Sequence, residues 1–168
     1  QDGVGNTMNS GKVVVYGHAG DIAGYSMRGG KIFIRDDVGY RTGIHMKEYQ
    51  DIRPLMVVGG SSRDFLGEYM AGGVILVLGL NLHEGECHTA KFVGTGMHGG
   101  VIYVRGKITN LGKEVEVMDV DENDVPLVQR LVKEFCDYFS FDFDAVMNRK
   151  FTKIVPVSNR PYGRIYAY

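Results

Sequence analysis

The sequence predicts a mainly β protein, a right-handed parallel β-helix of about five coils with a C-terminal α-helical segment and an extended tail. Three observations predict it. A Gly-x-x-Met landmark recurs about every 20 residues, a short aliphatic strand follows most copies, and too little chain lies between strands for a crossover helix. Glycine occurs 24 times in 168 residues, twice the usual ~7%. With only 4 prolines and no low-complexity run, that glycine content means tight turns at set positions.

The coils follow in order. Met8-Asn9-Ser10-Gly11 leads into Lys12-Val13-Val14-Val15, a weak copy of the repeat. Met27-Arg28-Gly29-Gly30 leads into Lys31-Ile32-Phe33-Ile34. Met46 lacks the Gly pair, and its strand, Leu55-Met56-Val57-Val58, lies beyond an insert near Glu48 to Arg53. Met70-Ala71-Gly72-Gly73 precedes Val74-Ile75-Leu76-Val77, and Met97-His98-Gly99-Gly100 precedes Val101-Ile102-Tyr103-Val104. A glycine stands three residues before every Met: Gly5, Gly24, Gly43, Gly67 and Gly94. The Met spacings are 19, 19, 24 and 27, and the last excess is placed in a loop near Asn81 to His88. Short return strands are expected at Asp21-Ile22-Ala23, Tyr40-Arg41-Thr42, Asp64-Phe65-Leu66 and Lys91-Phe92-Val93.

Side-chain alternation divides the faces. Val13, Ile32, Ile75 and Ile102 share one position after Met, and Val15, Ile34, Val77 and Val104 share another two residues on. All are β-branched, and period-2 alternation puts them on one face as stacked core columns. The opposite face carries Val14, Phe33, Leu76 and Tyr103. An apolar outward column marks a contact surface. It is a candidate interface, covered either by a partner or by the chain's own C-terminal helix.

The pattern changes near Val120, which divides the chain into a β-helix at 1–119 and a helix-and-tail segment at 120–168, packed on the β-helix or on a partner. Asp121-Glu122-Asn123-Asp124 offers N-cap candidates, with Pro126 in the first turn. Leu127, Val128, Leu131, Val132, Phe135 and Tyr138 follow a 3.6-residue stripe, so a helix is expected from Val125 to Phe139. A second is expected from Phe143 to Asn148. The tail, Phe151 to Tyr168, reads as extended and packed on a neighbour.

Composition excludes some roles. Basic residues number 19 and acidic 20, so there is no electrostatic footprint for nucleic acid or an anionic membrane. No apolar run approaches the ~20 residues that cross a bilayer, and the N-terminus has no signal-peptide pattern. Starting at Gln1, the chain reads as a trimmed or split product. Cys87 and Cys136 make no disulfide framework, and a reducing cytoplasm is the simpler expectation.

Several motifs invite sharper readings. Gly94-Thr95-Gly96-Met97-His98-Gly99 spells a dinucleotide fingerprint, but that motif needs a following helix, and here a strand is expected. His83-Glu84-Gly85-Glu86-Cys87-His88 offers the zinc-type ligands His83, Cys87 and His88, without a second ligand pair; a solvated loop is preferred. His18, His45 and His98 sit at turns with no nucleophile to pair. Asp21, Asp36, Asp37 and Asp64 fall at corners. Acidic clusters of this kind serve polysaccharide-cleaving β-helices, though Asx turns account for them more simply. The repeat methionines form a packing ladder.

Taken together, the repeat residues Gly24, Met27, Gly29, Gly30, Gly67, Met70, Gly72, Gly73, Gly94, Met97, Gly99 and Gly100, each set followed by an aliphatic strand, resemble the C-terminal β-helix domain of the glutamate synthase large subunit. The helix after acidic residues and the run Phe151-Thr152-Lys153-Ile154-Val155-Pro156 are similar too, so the resemblance covers nearly the whole chain. It implies a stand-alone, non-catalytic subunit that binds no cofactor and no metal. FMN and an iron–sulfur cluster would sit in a partner, the FMN synthase part, and a second partner would be the amidotransferase. The β-helix would brace the two for ammonia transfer in glutamate biosynthesis. Relative to that family the chain begins within the coil stack, so N-terminal coils are expected to be missing, and a homo-oligomer through the open end is a further partner expectation. The β-helix subunit of formylmethanofuran dehydrogenase is built from the same coils and is the alternative. An independent β-helix lyase or zinc protein is the third reading.

Overall fold

The computed structural model describes residues 1–158 and shows a β-solenoid of about five turns. Its elements are β1 (Lys12–Val15), β2 (Lys31–Ile34), β3 (Leu55–Val58), β4 (Ala71–Val77), β5 (Cys87–His88), β6 (Gly99–Arg105), β7 (Lys107–Ile108), β8 (Val115–Asp119), α1 (Val125–Phe139), α2 (Phe143–Met147) and β9 (Phe151–Pro156). The main sheet runs β1-β2-β3-β4-β6-β9-β8. Its first five strands are parallel, one from each coil, and β9 pairs antiparallel with both β6 and β8.

Register follows the repeat. Val13 pairs with Ile32, Ile32 with Met56, Met56 with Ile75 and Ile75 with Ile102. A one-residue slip would turn every one of these side chains outward, so the buried interior fixes the alignment. Ile32, Met56, Ile75 and Ile102 are fully buried in the inner core. Met27, Met46, Met70 and Met97 join the same cluster. The insert at Glu48 to Arg53 closes on itself by an antiparallel bridge between Tyr49 and Ile52, leaving β3 in register.

The expected return strands are instead consecutive tight turns. Tyr25 N–H donates to Ile22 O at 3.0 Å and Met27 N–H to Gly24 O at 3.1 Å. The third positions, Gly24 and Ser26, have φ of 70° and 51°, as type II turns require. The segment's bonds to its neighbours alternate in direction: Ile22 N–H reaches forward to Tyr40 O at 2.8 Å, and Gly24 N–H reaches back to Val4 O at 2.7 Å. Ile22, Arg41, Phe65 and Phe92 occupy one column, all at positive φ. Side-chain-bearing residues rarely adopt that conformation. Apolar composition suggests strand there, but the bonds between coils select the turn.

Two glycine positions explain the landmark. At Gly43 φ is 74°, and a Cβ would lie 2.3 Å from Ile75 Cδ1. The inner-column Ile of the next coil thus occupies the space above the Met-minus-three glycine. At Gly100 φ is 82°, and a Cβ would meet Gly73 O at 2.8 Å. That corner excludes a side chain by backbone crowding as well as by φ.

The C-terminal segment packs back on the solenoid. α1 has the predicted bounds, and α2 ends at Met147, one residue short of expectation. Asp121 makes the turn that leads into α1: its Oδ1 accepts from Asn123 N at 2.8 Å and Asp124 N at 3.2 Å. Asp124 stands directly before the helix with no side-chain cap. β8 has no counterpart among the predicted elements. Val115, at its start, fills the space beside Gly94 that an inner-column Ile fills elsewhere, 2.6 Å from where a Cβ would be. Of the two settings expected for the tail, the β-helix or a partner, Phe151–Pro156 takes the first and joins this chain's own sheet as β9. Residues 159–168 of that tail lie outside the described residues.

Candidate interaction surfaces

The outward column is the first candidate, and the structure corrects it. Phe33, Leu76 and Tyr103 form one buried cluster with Val128, Leu131, Val132 and Phe135 of α1. Phe33 and Leu76 are 0% exposed and Tyr103 2%, so α1, not a partner, covers them. Val14, on the first coil, is only partly buried. The physical reason is close fit. Phe135 Cζ lies 2.5 Å from where a Cβ on Gly59, the residue after β3, would be, so glycine there lets the helix close onto the end of that strand.

Polar contacts fasten this cap. Tyr103 donates its hydroxyl to Asp124 Oδ1 at 2.6 Å, and Lys153 Nζ donates to Asp124 Oδ2 at 2.8 Å. Burial, then the Asp124 carboxylate, pushes the Tyr103 phenol up. Burial alone would raise Asp124, but the bonds from Lys153 and Tyr103 prevail and hold it below its ordinary range. Glu134 behaves alike: burial opposes its charge, and Lys12 and Lys31, each at 2.7 Å, bring it down. Arg105, buried, donates to Val146 O at 2.6 Å and so holds the end of α2. Desolvation lowers its pKa.

The zinc-type residues are not gathered. His88 is buried in β5, which pairs with β7, and its Nε2 meets Arg105 O at 3.1 Å. Burial lowers the His88 pKa. Cys87 is exposed, as is His83. Among the described residues no group of three or more His, Cys, Asp or Glu converges as a metal site.

The corner aspartates have a structural task that differs from the one expected. They bond the next coil rather than their own turn. Asp2 Oδ1 accepts from Asp21 N at 2.9 Å, Asp21 Oδ1 from Tyr40 N at 2.8 Å, and Asp64 Oδ1 from Lys91 N at 2.9 Å. Asp37 Oδ1 accepts from Ser61 N at 2.6 Å and Asn81 Nδ2 at 3.0 Å. Asp36 is held by Arg35, at 2.9 and 3.0 Å, with its pKa lowered by that bond. An open cleft of about 720 Å³ runs beside these corners, lined by His18, Arg35, Asp36, Arg63, Asn81 and Phe141 among others. It gathers no nucleophile with a base.

A third surface has no signature in the repeat. The residue after each repeat Met is Asn9, Arg28, Lys47, Ala71 and His98. A repeat search follows what stays constant, and this position varies. Stacking in register nevertheless lines these residues up. Beside them His45 stacks on Tyr69 (centroids 5.4 Å apart, 12° between planes), and Tyr25 meets His45 edge-on at 6.1 Å.

These features define a class of protein: a parallel β-solenoid cornered by Gly-x-x-Met-x-Gly-Gly, with its outer sheet face sealed by its own helix. The chain belongs to the GXGXG motif family, which it matches over residues 1–157. That family is the β-helix domain of the glutamate synthase large subunit. The chain is also 47% identical over 137 residues to the uncharacterized protein MJ1350 of Methanocaldococcus jannaschii, an alignment covering 77% of this chain and 52% of the relative. The chain thus spans about half the length of that relative. No helix among the described residues is long and apolar enough to cross a membrane.

Proposed function

We propose that the chain is a non-catalytic structural subunit or domain of a glutamate synthase-like complex. In this reading it braces an amidotransferase part and an FMN and iron–sulfur synthase part so that ammonia passes between them in the cytoplasm. The single observation that carries the proposal is the family match over residues 1–157, which takes in every coil and the cap. The architecture supports it. Side chains that carry chemistry elsewhere are here committed to structure: His88 to a backbone carbonyl, and Asp21, Asp37 and Asp64 to the amides of the next coil. A stack of coils tied by backbone and carboxylate ladders is stiff along its axis and suits a spacer.

The test is affinity purification of the full-length protein from its native host, followed by mass spectrometry. The expected result is an FMN and iron–sulfur protein, with or without an amidotransferase, in stoichiometric amount. A molybdopterin or tungstopterin protein in its place would move the assignment to a formylmethanofuran dehydrogenase-like complex. A partner set with none of these would overturn it.

A further inference from the structure

The column after the repeat methionines forms a groove of about 360 Å³, lined in part by Tyr25, Arg28, His45, Lys47, Tyr69 and His98. Among the described residues its lining contains no carboxylate. Arg28 and Lys47 are exposed, and among the described residues neither makes an ion pair. An adjoining groove of about 400 Å³ shares both and continues to Asn9 and Ile52. Its one carboxylate, Glu48, is already engaged by Gly73 N at 3.1 Å and Arg53 at 3.4 Å. The surface therefore offers two uncompensated cations next to an exposed aromatic stack.

His98 lines the other end of the groove. Its Nδ1 lies 3.1 Å from Gly96 O. A carbonyl only accepts, so in the neutral ring Nδ1 carries the proton and Nε2 is left as an acceptor. Nε2 is buried and has no hydrogen-bond partner among the described residues, so His98 forms a wall of the groove and is not a docking point.

We infer that this groove receives an extended acidic segment of a partner protein, with carboxylates on Arg28 and Lys47 and an apolar or aromatic side chain on the Tyr69–His45 stack. Shape separates this from a small anion. From Asn9 to His98 the column crosses four coil steps of ~4.8 Å, on the order of 19 Å, the length of about six extended residues. A phosphate would fill one step. The low cation count and a net charge of −1 disfavour a nucleic acid strand. The inference rests on the proposed role as a docking subunit and names the surface through which one partner is held.

The experiment uses the complex isolated from the native host. Zero-length carbodiimide cross-linking joins an ammonium to a carboxylate in direct contact, and mass spectrometry locates the joined residues. Lys47 is expected to be joined to an Asp or Glu of the partner. Arg28→Glu with Lys47→Glu is expected to weaken partner binding by on the order of tenfold, with an unchanged thermal midpoint, because both side chains are exposed. Lys113→Glu, on another exposed turn, serves as the control and is expected to bind as the native chain does. A complex that forms with Lys47 unjoined and with binding unmoved by the double reversal overturns the groove and leaves the proposed function standing. Inorganic phosphate that shields Lys47 from acylation in the isolated chain, with no carboxylate joined to it in the complex, also overturns the segment. Failure to form any complex overturns both.

Discussion

The solenoid interior and the cap under α1 both bury apolar side chains on the same strands, yet they are held together differently. Inside, each coil repeats its neighbour: two inward aliphatic residues (β-branched except for Met56 in the third coil), a Met, a turn and the same backbone bonds. Stability there is a sum of similar interfaces. The cap relies on contacts that occur once, such as Phe135 over Gly59, Tyr103 and Lys153 on Asp124, and Lys12 and Lys31 on Glu134. A repeated interface tolerates local loss poorly, because one bad corner separates two halves of the stack. A cap of single contacts can be released while the stack persists.

A substitution at a corner has the largest expected effect. Gly100→Val places a β-branched residue at a φ of 82°, with its Cβ about 2.8 Å from a backbone oxygen. Strain and overpacking together are expected to cost about 3–5 kcal/mol. Urea denaturation should show loss of both regions together, and a variant of native stability would refute the corner argument. Phe135→Ala acts on the other side. Phe135 is fully buried, and its removal is expected to cost about 3–5 kcal/mol. Here hydrogen exchange should rise throughout α1 while β2 to β4 stay protected. Equal loss of protection in both would mean that the two regions form one cooperative unit.

The same difference decides what can be read in the sequence. Repetition makes the five coil strands, their register and both core columns legible, because Val13, Ile32, Ile75 and Ile102 report one environment four times over. The Glu48–Arg53 insert is visible as an interruption of that pattern. α1 is legible from a single stripe. The return turns are not, because Ile22 and Phe65 look like strand residues, while bonds within the turn and to neighbouring coils accompany their positive φ. β8 and β9 are hidden for another reason: their pairing joins residues about 40 apart, such as Val115 and Pro156, with no repeat to advertise it. The outward column is recognisably apolar, but nothing local says that α1 folds back onto it. The basic column is hidden because Asn9, Arg28, Lys47 and His98 share a position and not an identity.

Removing charge from the cap is a smaller perturbation. Asp124→Asn keeps an acceptor for Tyr103 but leaves Lys153, whose side chain is 17% exposed, without its counter-charge. The expected cost is about 1–3 kcal/mol, read from urea midpoints. Acid should act on the native protein by the same route. Asp124 and Glu134 are held below their ordinary values of 3.8 and 4.5. Their contribution is present above those values and lost as pH falls through the depressed ones. His88, lowered from 6.5 by burial, is favoured neutral, and its contribution likewise fades as pH falls below that value. Hydrogen exchange at decreasing pH should therefore release α1 and β9 before β2 to β4. In Asp124→Asn the acid dependence should be shallower. The reverse order of release would place the titrating groups elsewhere.

The smallest effect tests whether the cap's charges matter because of burial or only because of number. Lys133 and Asp137 form an ion pair one helical turn apart on α1, and both side chains are 61% exposed. Lys12 and Lys31 instead meet a Glu134 side chain that is 20% exposed. An exposed pair is screened by water and salt and loses side-chain entropy when it forms, so it contributes little. Lys133→Ala is expected to shift the stability of the cap by less than about 0.5 kcal/mol, partly offset by the better helix propensity of alanine. Glu134→Gln should cost more, because two lysines lose their shared partner on the solenoid side. Measured side by side in urea, a Lys133→Ala loss as large as that of Glu134→Gln would mean that α1 is held by its net charge pattern rather than by the partly buried contacts with β1 and β2.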